Sequence, residues 1–253
     1  MTYEANRPVK TSVKTFEIIE QLSRTDRIRL STLADELDVS KGIIHNHLST
    51  LRELGYVRKV GEQYQLSAKL LSVGFRTRSH SQLFTAAHTP LIEVADRFDT
   101  GGILCEQAAS ECIVIDAQQL PTGVDTTVGT TIPVSKSLLG HVVASRTAAA
   151  SESTELSSTY DSAAIDEAID ERGYAVGPIT SETDVDCVVV PILEEAGDCY
   201  GSLGMILPDE ASKQRSQQLI EAAVQLRTRI ERRLGSGWEA TRSFATEKHS
   251  WIT

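Results

Sequence analysis

The sequence predicts an α+β protein made of two unlike domains, and three observations lead to this fold class. Two short helical patterns, Ser31–Leu37 and Ser40–Gly55, are separated by only two residues. Two short β patterns, Tyr56–Val60 and Tyr64–Leu66, follow at once around a glycine turn. Beyond residue 79 the chain alternates short apolar strands with helices. The first part is therefore expected to be a winged helix-turn-helix, and the second a mostly antiparallel sheet flanked by helices.

The segment Ser40–Gly55 has the periodicity of a helix that buries one face. Its apolar side chains recur three or four residues apart, at Ile44, Leu48, Leu51 and Leu54. Ser40 suits the N-cap, because its hydroxyl can accept a free backbone N–H of the first turn. Gly55 suits the left-handed position just past the end. In the preceding helix the inward side chains are expected to be Leu33, Ala34 and Leu37.

Helix-turn-helix proteins place the exposed face of their second helix in the major groove of DNA. Here that face carries the candidate DNA-binding residues Lys41, Gly42, His45, Asn46 and Ser49. Asn46 can bond adenine at two atoms, and Lys41 can reach the acceptors of guanine. Phosphate contacts, which position a protein without specifying sequence, are assigned to Arg52, Arg58, Lys59, Arg29 and Ser31. His47 is expected to face the wing or the core, and for any single candidate a solvated surface role is the alternative.

Charge favours a DNA-binding role for the first domain. Residues 1–78 carry 13 Lys and Arg against 9 Asp and Glu, although the whole chain has a net charge of −10. Phosphate attraction supplies most non-specific affinity for DNA, so positive charge concentrated on this segment has a physical use. The alternatives are a winged helix that mediates protein contacts and an enzyme built on the second domain.

The expected domain bounds are a loose leader at 1–10, the winged helix at 11–66, a linker helix at 67–78, a second domain at 79–234 and an extension at 235–253. In the first helix, side chains Phe16, Ile19 and Leu22 are expected to pack beneath the helix-turn-helix. A short strand at Ile28–Leu30 is expected to pair with the wing. The helix from Ser79 to Phe98 contains Pro90, which should kink it or split it in two. Its long apolar face is a candidate for contact across a dimer, or for packing on its own domain.

The second domain is expected to alternate strands and helices. Predicted strands are Ile103–Ala108, Cys112–Ala117, Gly123–Thr131, Tyr174–Gly177, Asp186–Leu193 and Tyr200–Leu207. Predicted helices are Lys136–Ala150, Ala163–Arg172 and Ser212–Leu234. A hairpin turn falls at Ala109-Ser110, and the stretch 151–162 is polar. The extension holds Trp238 and Trp251, which either belong to a disordered tail or dock on a second subunit.

A candidate effector site lies where a loop leads into the helix predicted at Lys136. Ser135, Lys136 and Ser137 would present hydroxyls, free backbone N–H groups and a positive charge there. Such a helix start can bind an anion, which suits a metabolite bearing a carboxylate. An ordinary capped helix is the alternative reading.

Chemical signatures of other function classes are missing from the sequence. The four cysteines show no metal-binding spacing and are expected to be reduced; Cys105 and Cys112 could face each other across a hairpin. No GxSxG, HExxH, Walker or GxGxxG motif occurs, so we expect no enzyme, no cofactor and no metal. With no run of 18 apolar residues and no signal-like start, the protein is expected in the cytoplasm, away from membranes.

The composition resembles that of proteins from salt-accumulating organisms. Lys and Arg together number 25 against 35 Asp and Glu, and arginine exceeds lysine by 17 to 8. An ordinary, mildly acidic protein is the alternative. At molar salt the Debye length is about 3 Å, so close base contacts would carry more of the affinity for DNA than distant phosphates.

Fragments along the whole chain resemble the IclR family of transcription regulators. In the first domain they are Leu33-Ala34, Val39, Ile44-His45, Leu48, Leu51, Gly55-Tyr56-Val57 and Tyr64-Gln-Leu66. In the second they are Val128-Gly129, Ile132-Pro133, Leu139-Gly140, Arg172–Ala175 and Cys187–Pro191. Covering about residues 10–234, the resemblance implies a winged helix, a linker helix and a GAF-like effector-binding domain with pocket positions at Cys187 and Ser202. For Cys187 the alternative, which composition favours, is a small buried apolar residue. It also implies a homodimer or homotetramer that binds a palindromic double-stranded operator and a small-molecule effector.

The chain departs from the family pattern where specificity is set. Gly42-Ile43 stands where Ser-Thr is usual, Asn46 where Arg is common, and His47 where Leu is common. On the last strand, Gly204 and Ile206 replace small polar residues. The resemblance therefore implies neither the operator sequence nor the effector.

Overall fold

The computed structural model describes residues 6–108, 111–124, 126–146, 160–194, 199–208 and 213–235. By internal contacts the chain divides into an N-terminal unit, Tyr3–Ser79, and a C-terminal unit that begins at His80. The predicted hairpin turn at 109–110, most of the polar stretch 151–162 and the tail 236–253 lie outside the described residues. Within the described ranges, no helix is both long and apolar enough to cross a membrane.

The N-terminal unit is a helix-turn-helix followed by a β-hairpin wing, as the sequence predicts. Its helices are α1 (Lys10–Ser23), α2 (Leu30–Glu36), α3 (Lys41–Glu53) and α4 (Lys69–His80). Its strands are β1 (Ile28–Arg29), β2 (Val57–Val60) and β3 (Gln63–Leu66), which form an antiparallel sheet in the order β1-β3-β2. The predicted pairing of the first strand with the wing is confirmed, because Ile28 pairs with Tyr64.

Local signals fix the ends of α3 as expected. The Ser40 hydroxyl accepts the N–H of Ile43 at 3.4 Å, and Gly55 has a φ of +81° just past the helix. In the turn before the helix, Asp38 adopts a left-handed φ of +50°. Leu54 is exposed rather than buried. The core beneath the helices is formed by Ile18, Leu22, Ile28, Leu33, Ala34, Ile44, Leu48, Leu51, Val57 and Tyr64.

The inward face of α1 differs from the predicted one. Ile18 and Leu22 are buried and Ile19 is partly buried, but Phe16 is 64% exposed. Side chains two residues apart point to nearly opposite sides of a helix, so a helix that buries Ile18 must expose Phe16. The expectation that Phe16 packs beneath the helix-turn-helix was therefore wrong.

The C-terminal unit is built on one six-stranded sheet, in which every neighbouring pair of strands is antiparallel and the order is β6-β5-β4-β9-β8-β7. The strands are β4 (Gly102–Ala108), β5 (Glu111–Gln118), β6 (Thr131–Pro133), β7 (Ala175–Pro178), β8 (Asp186–Leu193) and β9 (Cys199–Ile206). The helices are α5 (Gln82–Phe98), α6 (Leu138–Ala144), α7 (Ser162–Arg172) and α8 (Lys213–Gly235). The predicted α+β class is confirmed.

Alternate residues of each strand serve two separate cores. On β8, Val188 and Val190 pack in the core that includes buried side chains of α5 and α8. Cys187 and Val189 belong to the opposite core, which includes side chains of α6 and α7. We call the latter side of the sheet the α6 face. This alternation is the two-residue period of a strand buried on both sides.

Pro90 does not split α5, so of the two predicted outcomes, a kink or a split, the split does not occur. The helix continues through this buried proline, and the break falls instead at Ser81, which caps α5 by accepting the N–H of Phe84. A proline has no N–H for the carbonyl four residues earlier, which here belongs to Ala86. That carbonyl accepts a hydrogen bond from Arg233 Nη1 of α8 at 3.1 Å. A contact distant in sequence thus makes the proline tolerable.

Two further predicted elements are shorter than expected. The strand expected at Gly123–Thr131 is reduced to β6, which begins at Thr131. The helix expected to start at Lys136 begins at Leu138, after a 3-10 turn at Val134–Lys136.

Candidate nucleic-acid interface and effector core

The outer face of α3 carries the predicted base-reading residues together. We call the set of Lys41, Gly42, His45, Asn46 and Ser49 the outer face of α3, and all five residues are exposed. The opposite side of the helix is anchored by Ile44, Leu48 and Leu51, which are buried. From Lys41 to Arg52 the chain contains no acidic residue. The one carboxylate of α3, Glu53, lies at its C-terminal end, away from the first two turns that carry most of this surface.

The candidate phosphate contacts are spread over several elements, with Arg52 on α3, Arg29 on β1 and Arg58 on β2. Arg29, Arg52 and Arg58 are exposed, and none forms an ion pair with any carboxylate that the structure describes. Arg29 directly precedes α2, and Ser31 is half-buried in its first turn. Cations without a protein partner remain available to phosphate oxygens.

Lys59 differs from the other predicted phosphate ligands. Its Nζ lies 3.4 Å from Glu62 Oε1 across the wing turn and 5.8 Å from the centroid of the Tyr64 ring. Its positive charge is therefore partly compensated within the wing. A phosphate would have to compete with Glu62 for this side chain.

Lys69, which the sequence reasoning missed, supports the C-terminal end of α3. Its Nζ donates to the carbonyl of Leu54 at 2.6 Å and lies 4.6 Å from the centroid of the Tyr56 ring. Ser67 Oγ donates to the neighbouring carbonyl of Gly55. A cation at a helix C-terminus satisfies free carbonyls and opposes the helix dipole. Because Lys69 lies 15 residues after Leu54, no local sequence pattern predicts this role.

His47 faces α1 instead of the wing or the core. Thr15 Oγ1 donates to the carbonyl of Thr11 at 2.9 Å, so this oxygen accepts from His47 Nδ1, also at 2.9 Å. This hydrogen bond joins α3 to α1.

The predicted anion site at the start of α6 is already filled by the protein's own bonds. The N–H of Leu138 donates to the carbonyl of Ile179, and the N–H of Gly140 donates to Ser137 Oγ, both at 3.0 Å. Ser137 is buried, Ser135 is half-buried and Lys136 is exposed. These backbone donors are not free for a ligand, and the ordinary capped helix describes the segment better.

The predicted pocket residues Cys187 and Ser202 lie on the α6 face. Both are buried, and Ser202 Oγ donates to the carbonyl of Leu139 at 3.1 Å. Burial raises the pKa of the Cys187 thiol well above its usual range. The structure thus brings both residues into one core, where a protonated thiol behaves as a small apolar group.

Cys105 and Cys112 do not face each other directly. In the β4–β5 register Cys105 pairs with Val114, and Cys112 pairs with Gln107. Both thiols are free and buried. Burial raises the pKa of Cys112 to about 12, so the thiolate needed for redox exchange is disfavoured.

His141 is a buried polar group that the sequence reasoning did not select. Its side chain is almost fully buried, and Nδ1 donates to the carbonyl of Ser137 at 3.0 Å. Nε2 is then the acceptor, and it has no hydrogen-bond partner among the described residues. Burial lowers the pKa of His141, although the carbonyls of Ser137 and Val134 oppose that shift. The ring packs against that of Tyr160 at a tilt of 43°, with the two centroids 4.8 Å apart.

The other histidine contact in this unit is a pair with a buried carboxylate. His88 Nδ1 lies 2.6 Å from Asp116 Oδ2, and Asp116 Oδ1 accepts from the side chain of Gln118. Across the parts of the chain that the structure describes, no group of three or more His, Cys, Asp or Glu side chains could hold a metal ion. The contact between His88 and Asp116 joins α5 to β5 of the sheet.

Comparison with known proteins assigns the N-terminal unit. Residues 12–61 match the family of IclR helix-turn-helix domains. The chain is 29% identical over 89 residues to the HTH-type transcriptional regulator KdgR of Escherichia coli, which covers 34% of each protein. It is 28% identical over 89 residues to KdgR of Dickeya chrysanthemi, with 34% of this chain and 29% of that protein covered. These alignments span about a third of the length of the curated relatives.

Solved structures extend the likeness to both units. An IclR transcriptional regulator from Alicyclobacillus acidocaldarius aligns with a TM-score of 0.76 at 16% identity, covering 90% of this chain and 100% of that one. An IclR homologue from Microbacterium hydrocarbonoxydans, solved in complex with 4-hydroxybenzoate, aligns with a TM-score of 0.71 at 16% identity, covering 90% and 98%. The chain thus contains an IclR-type helix-turn-helix domain at residues 12–61, and both of its units share the fold of solved IclR regulators.

Proposed function

We propose that this chain is a cytoplasmic, ligand-responsive transcription regulator that binds DNA and controls a metabolic, in particular a catabolic, operon. The outer face of α3 carries the proposal, because it is exposed and free of acidic residues in a chain of net charge −10. The curated relatives named above are transcriptional regulators, which supports the same function.

In this proposal the outer face of α3 enters the major groove. Asn46 reads adenine and Lys41 reads guanine, while His45 and Ser49 add contacts to base edges or phosphates. Arg52, Arg58, Arg29 and Ser31 hold the phosphate backbone and set the register without specifying sequence. Lys59 contributes only where a phosphate displaces Glu62.

Two copies of the chain would bind a palindromic operator. The exposed surface of the N-terminal unit includes apolar side chains on two helices, Val13 and Phe16 on α1 and Leu71 and Phe75 on α4. A contiguous apolar patch marks a surface that a partner covers, and we propose that these side chains form such a patch and that a second copy covers it. Half-sites of a dimer then lie about 34–36 Å apart, one turn of DNA, or a multiple of that distance. Sedimentation of a Phe16→Ser variant should show a shift towards monomer.

The effector is proposed to bind in the core of the α6 face, where Cys187, Ser202 and His141 lie. The ligand that the homologue from Microbacterium hydrocarbonoxydans holds is a hydroxylated carboxylate, which supports a small hydroxylated acid here as well. His141 Nε2 suits the hydroxyl group, because it accepts hydrogen bonds and has no partner within the described residues. Binding would change the affinity for DNA, and DNA would change the affinity for the effector by the same factor.

Chromatin immunoprecipitation of the tagged protein in its host, grown on several carbon sources, tests the function. We expect a few sharp peaks upstream of one metabolic operon, and loss of those peaks when that operon's substrate is supplied or withdrawn. An untagged strain is the control. A flat profile under every condition, together with recovery of a specific protein partner, would favour the protein-interaction alternative.

A further inference from the structure

Ile43 is an apolar side chain on the exposed side of α3. It is 49% exposed in the first turn, although the helix buries its neighbour Ile44 completely. One residue of this kind is ordinary on a protein surface. Its position is notable because it lies beside the outer face of α3, where the other exposed side chains are polar.

Gly42, immediately before it, is not required as a glycine by any contact among the residues that the structure describes. A Cβ built at this position would meet no heavy atom within 4 Å in the described part of the chain, and its φ lies outside the left-handed region. Neither packing nor backbone conformation therefore requires glycine. Glycine is also a poorer helix former than alanine, so it weakens α3 for no internal gain. A bare backbone is useful where another molecule must come close.

We propose that Gly42 lets the first turn of α3 approach the floor of the major groove closely, and that Ile43 packs there on the 5-methyl group of a thymine. The inference rests on the proposed function and adds a specificity-determining residue to it. In the major groove the thymine methyl is the apolar group that a protein can recognise. Lys41 and Asn46 lie on the same helix, so one surface would combine hydrogen bonding with methyl recognition.

An apolar contact of this kind does not weaken with salt as phosphate contacts do. Affinity that comes from neutralised phosphates falls steeply as the salt concentration rises, because the release of condensed counterions gains less entropy in a more concentrated solution. Burial of apolar groups is not screened by ions. The share of specificity that Ile43 supplies should therefore grow as salt is raised.

Single-methyl substitutions in DNA test the contact. The full-length protein first selects duplexes from a random pool, and each thymine of the selected site is then replaced by deoxyuridine, which lacks only the methyl group. In fluorescence anisotropy we expect at least one thymine per half-site whose replacement weakens wild-type binding about fivefold or more, but leaves the affinity of Ile43→Ala unchanged. Ile43→Val, which keeps two methyl groups, should retain most of the effect. Equal losses for wild type and Ile43→Ala at every thymine would overturn the proposal.

Gly42→Ala tests the close approach, and its two effects should have opposite signs. The variant should raise the melting temperature, because alanine favours the helix, and should weaken binding to the selected duplex at least tenfold. Unchanged or tighter binding would contradict the proposal. If wild-type protein enriches no sequence at any salt concentration, the proposed function itself fails and this inference falls with it. If the protein enriches a sequence, but no thymine-to-deoxyuridine replacement changes its affinity, this inference fails and the proposed function stands.

Discussion

The candidate functional side chains differ in exposure between the two units. On α3 the candidates are exposed, and cations such as Arg52 and Arg58 have no carboxylate partner among the described residues. On the α6 face Ser137, Ser202 and His141 are buried and bonded to backbone groups of their own unit. A surface for a long polyanion stays open and hydrated, whereas a site for a small molecule is built from enclosed groups. Substitutions should therefore act on binding in the first unit and on folding in the second.

The strongest test of this difference is Gly140→Ala in the C-terminal unit. A Cβ at this position would lie 2.4 Å from the carbonyl oxygen of Val134 and 2.6 Å from its Cα. Backbone atoms cannot move aside like a flexible side chain. We therefore expect the free energy of unfolding to fall by about 3 kcal/mol, the upper end of the cost of overpacking. Hydrogen exchange should speed up in residues 138–144 but not in α3.

Gly177→Ala is the matched control in the same unit. Its Cβ would approach Leu138 Cδ2 at an ordinary 3.7 Å. Equal effects of the two substitutions, or loss of protection in α3 as well, would contradict the separation between the units.

The hydrogen bond from Arg233 to the carbonyl of Ala86 should contribute more to the free energy of unfolding when residue 90 is proline than when it is alanine. Arg233→Met leaves the carbonyl of Ala86 without its observed donor, and an unsatisfied buried acceptor costs about 1–3 kcal/mol. In a Pro90→Ala background the helix regains its own N–H donor, so the same substitution should cost about 1 kcal/mol less. A double-mutant cycle by urea denaturation measures this coupling. Strict additivity would show that Arg233 does not compensate for the proline.

The buried imidazole should make the C-terminal unit sensitive to acid. Burial holds the pKa of His141 below its usual 6.5, so below that pH the unfolded chain binds more protons than the folded one. Wild-type stability should therefore fall relative to His141→Phe as pH decreases from 6.5, by up to about 1 kcal/mol at pH 5.5. Urea titrations at pH 8, 6.5 and 5.5 give the difference. A constant difference would mean that His141 is not protected from protonation.

The smallest expected effects concern the salt dependence of phosphate contacts. Each phosphate contact contributes about −0.9 to the slope of log affinity against log salt. Arg58→Gln should reduce the slope by about that amount, on random and selected DNA alike. Lys59→Gln should change it less, because Glu62 already compensates Lys59. Titrations from 0.1 to 1 M KCl compare the two variants, and a larger effect for Lys59 would reverse the assignment.

The features that could be predicted from sequence depend on neighbours along the chain. The Ser40 cap, the turn at Gly55 and the buried line Ile44, Leu48 and Leu51 all lie within one helix, and the pattern contains everything that determines them. The same holds for β8, whose predicted bounds Asp186–Leu193 match the structure. The outer face of α3 follows from the same helical period.

The features that local patterns mispredicted or left open depend on contacts distant in sequence. Phe16 is exposed because the rest of the unit packs on the other side of α1. Pro90 is tolerated because Arg233 satisfies the carbonyl of Ala86. The N–H of Leu138 is occupied by the carbonyl of Ile179, which only the folded sheet brings close. No local pattern contains this information, so the effector core was the harder site to predict.

The most direct test of the account compares Asn46→Ala with wild type on a selected duplex and on a scrambled duplex of the same length and composition. Because the Asn46 side chain is exposed, and Thr50 Oγ1 bonds only the backbone carbonyl of this residue, the variant should fold normally and lose only base recognition. We expect affinity for the selected duplex to fall by about 1–3 kcal/mol, the value of a good bidentate base contact, with little change on scrambled DNA. Equal losses on both duplexes would contradict the claim that the outer face of α3 reads the sequence of DNA.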